Sequence, residues 1–326
     1  MTTLFDKLEI SLPIWNAGMG GGLAGPELVA AVNEGGGFGV LGTGGGISPT
    51  MIRQLVQDTK ALTSRPFGAN IILPMSDGND VAAVFDSDIH VLVLFWGDPQ
   101  PFIKDARKRG MFVVSQCGNG DDAVRAEESG VDAIILQGTE AGGHVKSDRP
   151  LMETIKEIKP HLSSIPFMAS GGISDGLQIA QILNTGAHAA SLGTRFLMTT
   201  ESKAHAKYKE MLTAKAQTVL TTLYDKGWED APHRVLRNHY YDIWEEAGYP
   251  ESGTRPGEHD TVGSIIFEGN AIEIPRYSVL PAVDSFKGDV EATPLYAGEC
   301  VSAIDDIEDC GNVIERLTKE LKEAAK

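Results

Sequence analysis

Short apolar runs alternate with amphipathic stretches from about residue 13 to residue 198 of this chain. Eight runs are rich in residues that favour strands, and they are Ile14–Met19, Phe38–Thr43, Phe67–Leu73, Val91–Trp96, Met111–Cys117, Ala133–Gln137, Pro166–Ser170 and Ala189–Phe196. Helix-like segments such as Pro49–Leu62 and Asp175–Leu183 lie between most of them. Continuous apolar strands separated by helices indicate a parallel sheet covered on both faces. Eight such units in so short a stretch predict an α/β fold of the (β/α)8 barrel type rather than an open sheet.

The alternation stops near Thr199. Lys203–Leu212 and Thr218–Leu223 are predicted helices, whereas residues 248–281 are rich in glycine, proline and polar residues. Near the end of the chain, apolar residues recur at helical spacing in a charged background, at Val313, Ile314, Leu317 and Leu321. This spacing predicts an amphipathic terminal helix.

We therefore expect three parts. Residues 1–200 are predicted to form the barrel, and residues 201–300 a smaller, mainly helical region on the substrate side, folded against the barrel mouth. Residues 301–326 are predicted to contain the terminal helix, which packs back on the barrel.

Composition restricts the function classes. With 326 residues and 42% hydrophobic content, the chain can bury a sizeable core. A formal net charge of -17 disfavours nucleic acids and anionic membrane surfaces as partners, because both would be repelled. No apolar run approaches the roughly 18 residues that span a bilayer, and no signal peptide is visible. The three cysteines show neither a disulfide framework nor metal-ligand spacing. A cytoplasmic enzyme is the expectation.

The residues at the strand ends indicate what kind of enzyme, because a barrel places its chemistry at the carboxyl ends of its strands. The ends carry Gly18, Met19, Asn70, Gln116, Gln137, Ser170, Gly171, Gly172, Gly193 and Thr194. They include no lysine, which argues against an enzyme that forms a Schiff base. They include no carboxylate cluster, so no metal site is expected. Glycines and amides at the barrel mouth supply few groups that can act as acid or base. This favours an organic cofactor as the source of reactivity.

Two glycine-containing turns predict a phosphate site. Ser170-Gly171-Gly172 follows one strand and opens a helix, and Gly193-Thr194-Arg195 follows the next strand. Loops after the seventh and eighth strands bind phosphate in many barrels through backbone N–H groups and a helix amino end. The alternative is two ordinary βα turns. The run Gly20–Gly25 satisfies G-x-G-x-x-G, but the second strand ends without the acidic residue of a dinucleotide fold.

Three strand-end amides and one histidine complete the candidate site. Asn70, Gln116 and Gln137 each offer a donor and an acceptor, which fits the edge of a flavin ring lying against Gly18 and Met19. The alternative is that these amides satisfy loop backbone. After Gln137 the chain runs through Gly142 and Gly143 to His144, in residues too small to hide the imidazole. With a pKa near neutrality, this ring can take a proton from a carbon acid or donate a hydrogen bond to an anion.

With these residues in place, the chain resembles the nitronate monooxygenase family, FMN-dependent (β/α)8 enzymes formerly called 2-nitropropane dioxygenases. The resemblance rests on Pro13-Ile14 with Gly18-Met19, Pro66–Asn70, Gln137–His144, Ala169–Ile173, Gly193–Phe196 and Leu295–Gly298. It implies that His144 is the active-site histidine. It also implies FMN contacts at Asn70, Gln116, Gln137, Gly142, Gly172, Gly193 and Thr194.

The implied reaction is oxidation of an alkyl nitronate by flavin and O2, which leaves a carbonyl compound and nitrite. His144 would orient the anion, or act as base if the substrate were a neutral nitroalkane. The family continues from the histidine into Arg-Gly, whereas this chain has Val145-Lys146-Ser147. Related FMN-dependent enoyl-ACP reductases and NADH:quinone reductases share Gly-Gly-His or a near variant.

Two further functions therefore stay open. One is an NAD(P)H-dependent FMN reductase acting on an enoyl thioester or a quinone. The other is a barrel isomerase or lyase that binds a phosphorylated substrate where the flavin phosphate is expected. The sequence does not fix the oligomeric state, and a homodimer is compatible with it.

Overall fold

The computed structural model describes residues 7–163, 165–213, 217–267 and 269–324. Its first nine strands are β1 (Ile14–Asn16), β2 (Val40–Gly42), β3 (Gly68–Ile72), β4 (Val91–Phe95), β5 (Phe112–Cys117), β6 (Ala133–Gln137), β7 (Gly143–His144), β8 (Phe167–Ser170) and β9 (Ala190–Leu192). All except β7 form one parallel sheet in the order β1-β9-β8-β6-β5-β4-β3-β2. The predicted eight-stranded barrel is therefore confirmed.

The barrel closes between β1 and the residues just before β2. The Phe38 N–H donates to the Ile14 carbonyl at 2.9 Å, and the Asn16 N–H donates to the Phe38 carbonyl at 3.2 Å. Trp15 and Phe38 meet inside the barrel with ring centroids 4.3 Å apart. Together with valine, isoleucine and methionine side chains from the other strands, they fill the lower interior, so the barrel is a packed core and not a pore.

The α-helices that connect the strands in the described part of the chain are α1 (Pro26–Glu34), α2 (Pro49–Leu62), α3 (Gly78–Phe85), α4 (Gln100–Lys108), α5 (Gly120–Ser129), α6 (Leu151–Ile158) and α7 (Gly176–Asn184). Local sequence explains several of their ends. Ser48 accepts the Met51 N–H ahead of α2, and Asp77 forms a capping box with Asp80 at the start of α3. Gly130 ends α5 with a left-handed φ of 85°. Such caps satisfy backbone groups that have no partner within the helix.

A second layer lies over the barrel mouth. The short helix α8 (Thr194–Leu197) follows β9 and leads into this layer. The layer contains α9 (Ala206–Leu212), β10 (Thr218–Thr221), β11 (His233–Leu236), α10 (His239–Glu246), β12 (Thr261–Phe267), β13 (Asn270–Pro275) and β14 (Lys287–Gly288). We call residues 198–309 the cap. Two three-stranded antiparallel sheets form there, β10-β11-β7 and β13-β12-β14.

The expectation of a mainly helical 201–300 region is wrong, and so is the helix predicted at Thr218–Leu223. The β-branched residues Thr218 and Val219 suit a strand, and pairing with β11 supplies the backbone bonds that a lone helical turn would lack. The eighth barrel strand is also shorter than Ala189–Phe196. It ends at Leu192, and α8 follows from Gly193 as its N-cap.

The last helix, α11 (Cys310–Ala324), returns to the barrel wall and packs between α7 and α1. Val313, Ile314 and Leu317 are buried there, as their spacing predicts. The Gly176 N–H at the start of α7 donates to the Glu320 carboxylate at 2.8 Å. This helix fills the place in the outer ring that follows β9.

The chain enters and leaves the cap at adjacent points. The Thr200 N–H donates to the Glu308 carbonyl at 3.0 Å. Buried Arg195 forms an ion pair of 2.6 Å with Asp306, which also pairs with Arg316 of α11. Across the described ranges, no helix is both long and apolar enough to cross a membrane.

Candidate active site

A cavity lies between the carboxyl ends of the barrel strands and the cap. Its empty space measures about 1360 Å³, including the part open to solvent. The lining contains every candidate residue: Gly18, Met19, Asn70, Gln116, Gln137, Gly142, Gly143, His144, Ser170, Gly171, Gly172, Gly193 and Thr194. The structure thus brings together residues that are up to 176 positions apart in sequence. Their roles toward a ligand stay predictions.

The cavity lining is uncharged. Among the described residues that form it there is no lysine, arginine, aspartate or glutamate, and the titratable side chains are His144, Tyr296 and Cys300. Burial raises the pKa of the Cys300 thiol to about 12 and the pKa of the Tyr296 phenol well above its ordinary value. Both groups are therefore neutral at pH 7, and a charged ligand would meet dipoles and hydrogen-bond donors here instead of counter-ions.

Asn70 is held close to Gly18. A Cβ added to Gly18 would lie 2.6 Å from the Asn70 Cβ, so only glycine permits this approach. The Asn70 Oδ1 accepts the Thr43 N–H at 3.1 Å, and the Thr43 hydroxyl donates to the Asn70 carbonyl. Because its oxygen is used, the orientation of the Asn70 amide is fixed and its NH2 group can donate to a ligand.

The other two amides differ from each other. Gln137 is buried, its Nε2 donates to the His144 carbonyl at 2.9 Å, and its Oε1 accepts the Lys146 N–H at 3.0 Å. Gln137 therefore fixes the backbone around His144, which is the alternative that the sequence left open for these amides. The backbone of Gln116 pairs within the barrel sheet, but its side-chain amide has no hydrogen-bond partner in the described protein, so both ends of the amide can bind a ligand.

His144 lies on β7, which the cap extends into a sheet: His144 is opposite His233 of β11. One face of the imidazole stacks on Trp228 of the cap, with ring centroids 4.2 Å apart and planes inclined by 26°. The ring of Tyr296 lies 5.6 Å away. The Nε2 atom is buried and has no hydrogen-bond partner within the described protein. An enclosed, unpaired nitrogen in a cavity wall is a position for a ligand hydrogen bond.

The expectation of a near-neutral pKa for His144 is wrong. Burial, with a smaller contribution from His233, lowers the pKa of His144 to about 3. The glycines before it leave the imidazole open on the barrel side, as expected, but the cap covers it from the other side. Since that cover comes from a distant segment, the local sequence does not reveal it. The ring is neutral at pH 7.

His233 is a structural neighbour of His144. Its Nδ1 lies 2.9 Å from the Ala231 carbonyl, and its Nε2 accepts the Tyr224 N–H at 3.2 Å. These partners require a neutral ring with the proton on Nδ1. Burial lowers the pKa of His233 to about 4, which agrees with that assignment.

The two predicted phosphate loops lie together in the cavity wall. Gly171 and Gly172 have φ values of 127° and 68°, which favour glycine. Within the described chain, the backbone N–H groups of Gly171, Gly172, Gly193 and Thr194 donate to no protein acceptor. They can hold an anion without any cationic side chain.

Two features of these loops differ from the expectation. The amino end of α7 already binds carboxylates, since Asp175 caps it and Glu320 accepts the Gly176 N–H. Arg195 is turned away and pairs with Asp306. The free loop N–H groups are therefore the donors available to a phosphate, and neither the end of α7 nor the Arg195 guanidinium contributes.

A segment from the far end of the cap completes the cavity. We call residues 296–299 the strap. The Gly298 N–H donates to the Thr194 hydroxyl at 2.8 Å, and the Glu299 N–H donates to the Glu140 carbonyl at 3.0 Å. Gly142 is crowded by the strap, because an added Cβ would lie 2.5 Å from the Gly298 nitrogen. Tyr296, Ala297 and Gly298, which belong to a segment that carries the family resemblance, thus lie at the barrel mouth. The contact of Trp228 with His144 had no signal in the sequence beyond a lone tryptophan in a polar segment.

The fold and the enzymes that share it define the class: a (β/α)8 oxidoreductase of the flavoprotein type, acting on a small molecule. The chain belongs to the nitronate monooxygenase family, whose model, described as "Nitronate monooxygenase", matches residues 1–320.

Individual relatives are named for different activities. The chain is 29% identical over 350 residues to a "(3aS,4S,5R,7aS)-5-hydroxy-7a-methyl-1-oxo-octahydro-1H-indene-4-carboxyl-CoA dehydrogenase" of Mycobacterium tuberculosis, covering 97% of this chain and 94% of that protein. FabK from Thermotoga maritima has a TM-score of 0.81 at 29% identity, covering 100% of this chain and 97% of that one. A nitroalkane oxidase from Streptomyces ansochromogenes has a TM-score of 0.79 at 27% identity, covering 99% and 98%.

Proposed function

We propose that this protein binds FMN in the cavity and uses O2 to oxidise alkyl nitronates to a carbonyl compound and nitrite. The observation that carries the proposal is the uncharged lining with one neutral imidazole whose Nε2 is enclosed and unpaired. A nitronate is a small anion with its charge spread over two oxygens and a carbon. Such an anion needs a hydrogen-bond donor and apolar walls more than it needs a full counter-charge.

The residues present fit a flavin mononucleotide. The missing side chain at Gly18 leaves a surface against which a flavin ring can lie. The side-chain amides can form hydrogen bonds with the polar edge of that ring, and the unpaired loop N–H groups can donate hydrogen bonds to its phosphate. The ring is proposed to contact Gly18, Met19, Asn70, Gln116, Gln137, Gly142 and Gly143. The phosphate is proposed to lie on Ser170, Gly171, Gly172, Gly193 and Thr194. When bound, the flavin supplies an acceptor for the substrate's electrons that O2 can reoxidise.

His144 is proposed to be the catalytic residue, as a hydrogen-bond donor to the anion. With a pKa of about 3, the free imidazole is a weak base at neutral pH, so it is poorly suited to taking a proton from a neutral nitroalkane. A neutral ring can still donate one N–H, and a hydrogen bond is stronger in the low-dielectric interior of a protein than in water. We therefore expect preformed nitronates to react much faster than their parent nitroalkanes.

The second candidate is an NAD(P)H-dependent FMN reductase that acts on an enoyl thioester or a quinone. Its support is the similarity to the CoA-ester dehydrogenase and to FabK. Nicotinamide coenzymes and CoA carry several phosphates, which proteins usually bind with arginine or lysine. The cavity lining offers neither residue, and the net charge of -17 repels polyanions. The nitronate is therefore the preferred substrate.

Anaerobic mixing tests the proposal. The purified protein is loaded with FMN and mixed without O2 with either ethyl nitronate or NADH, and bleaching of the yellow flavin is followed. Rapid bleaching by the nitronate, and not by NADH, is expected. The reverse result would establish the second candidate, and a protein that does not take up FMN would refute both.

Substitution of His144 tests its assigned role. His144→Ala should keep FMN bound and slow bleaching by nitronate about 100-fold, the usual loss for one preorganised donor. His161→Ala is the matched control, because that histidine is exposed and far from the cavity lining. Full activity in the His144 variant would remove this residue from the mechanism.

A further inference from the structure

Trp228 lies outside the cavity lining and contacts the active site through His144. It belongs to the loop between β10 and β11, where its neighbours Gly227 and Glu229 are exposed while its own side chain is partly buried. The indole covers one face of the imidazole in a near-parallel stack. It is the described ring closest to His144, since His233 and Tyr296 have centroids 5.3 and 5.6 Å away.

The cap holds Trp228 in place from two sides. Its own N–H donates to the Asp225 carbonyl at 2.9 Å. Lys226, two residues earlier, exchanges backbone hydrogen bonds of 3.0 Å with Tyr277 and Val279, and Val279 lines the cavity. The loop position is therefore fixed by a segment that also forms the cavity wall.

Trp96 supports the indole from the barrel side. This residue follows β4 with a left-handed φ of 63°, an unfavourable conformation for a bulky residue. The conformation places its ring edge-on against Trp228, with centroids 5.0 Å apart. The Lys146 ammonium lies 5.9 Å from the Trp96 ring centroid and pairs with Asp122 at 2.7 Å. Backbone strain of this kind persists only where surrounding contacts impose it.

We propose that Trp228 is a positioning residue for His144: it fixes the plane of the imidazole and keeps water from its cap-side face. The groups around the ring explain why this matters. His233 and Tyr296 are neutral, Gln137 bonds His144 through its backbone carbonyl and not through its ring, and the charge of Lys146 is balanced by Asp122. No described carboxylate is placed to stabilise an imidazolium, so exclusion of water decides whether the ring stays uncharged.

Histidine NMR of the FMN-loaded protein tests the inference. The ring of His144, assigned with a His144→Asn variant, should remain neutral down to pH 5 in the unmodified protein. In Trp228→Ala, water reaches the ring and its titration midpoint should rise by about one to three pH units. Trp228→Phe should restore the original behaviour. If the alanine variant does not fold, Trp228→Gln, which retains bulk but brings polar atoms to the imidazole, should give the same upward shift.

Trp244→Ala is the matched control. Trp244 is another cap tryptophan, it packs on Tyr241 and Tyr249, and it has no contact with His144. This variant should leave the His144 titration unchanged. A His144 midpoint that stays low in both the alanine and glutamine variants at position 228, or that rises equally in Trp244→Ala, would overturn the inference.

The consequence for turnover rests on the proposed function. In Trp228→Ala, kcat/KM for ethyl nitronate should fall about 10- to 100-fold, the range expected for a displaced catalytic group. The kcat/KM of Trp228→Ala should also show an inflection with pH. The double variant Trp228→Ala with His144→Asn should lack that inflection. If nitronate is not a substrate while the NMR midpoint still shifts, the proposed function fails and the positioning role stands. If nitronate is oxidised while the midpoint does not shift, the positioning role fails alone.

Discussion

Two neighbouring glycines beside His144 should lose very different amounts of stability on the same substitution to alanine. Gly142 faces the strap, and a Cβ there would lie 2.5 Å from the Gly298 nitrogen and 2.6 Å from the Ala297 carbonyl carbon. Ordinary contact begins at 3.4 Å, so backbone would have to move by the difference, 0.9 Å. Gly143 has a left-handed φ of 74°, but a Cβ there would meet nothing within 4 Å. One position is crowded, and the other is only conformationally strained.

The cost of Gly142→Ala has two parts. Overpacking against backbone costs about 1–3 kcal/mol. A shift of the strap also breaks the 2.8 Å bond from the Gly298 N–H to the Thr194 hydroxyl, and a buried donor without a partner costs about 1–3 kcal/mol more. We expect a total of about 3 kcal/mol or more for Gly142→Ala. Gly143→Ala should cost about 1 kcal/mol, the usual penalty of a left-handed alanine.

Urea unfolding at one fixed FMN concentration measures both variants, because bound ligand shifts apparent stability. The midpoint should fall clearly more for Gly142→Ala, with m unchanged so that the midpoint reports stability. Gly142→Ala should also weaken FMN binding, since the strap encloses the cavity. A larger loss for Gly143→Ala than for Gly142→Ala would refute the reasoning from crowding.

Further predictions follow from the buried groups. Because the pKa values of His144 and His233 fall to about 3 and about 4, the unfolded chain binds more protons than the native protein below pH 6.5. The free energy of unfolding should therefore decrease as pH falls from 6.5 toward 4, by up to about 1.4 kcal/mol per pH unit for each ring, and His144→Asn should reduce that slope in urea titrations. Asp306→Ala leaves Arg195, which is 2% exposed, without its carboxylate. This variant should cost about 3 kcal/mol, whereas Asp88→Ala, which breaks an exposed pair with Lys60, should cost less than about 1 kcal/mol; equal costs would contradict the burial argument.

The barrel could be predicted from sequence because its signals are local. A strand such as Val91–Phe95 is apolar throughout and buried on both faces, so its composition alone indicates a parallel core strand. Glycines and amides at the strand ends then share one edge by geometry, whatever their separation along the chain. For this reason the cavity residues were predictable as a group.

The cap was less predictable because its structure depends on distant partners. Strand β10 forms because it pairs with β11. Strand β11 also pairs with β7, which lies about 90 residues earlier in the sequence. The pKa of His144 depends on the same long-range cover, as does the use of the Gln137 amide by loop backbone. Local propensity indicates which residues reach the mouth, but not what closes over them.

The adjacent entry and exit of the cap make it a module inserted at a single connection of the barrel. Because Arg195 and Thr200 lie beside Asp306 and Glu308, the two ends of the insert could be joined by a short turn without moving β9 or α11. Loop-closure entropy grows only slowly with length, so inserts of very different size are tolerated at such a point. The barrel residues would then keep the flavin chemistry constant. Exchange of the insert would change which substrates reach the cavity and how much water reaches the His144 imidazole. A chimera that carries another family member's cap between residues 198 and 309 should therefore take its substrate range, but not its cofactor, from the donor.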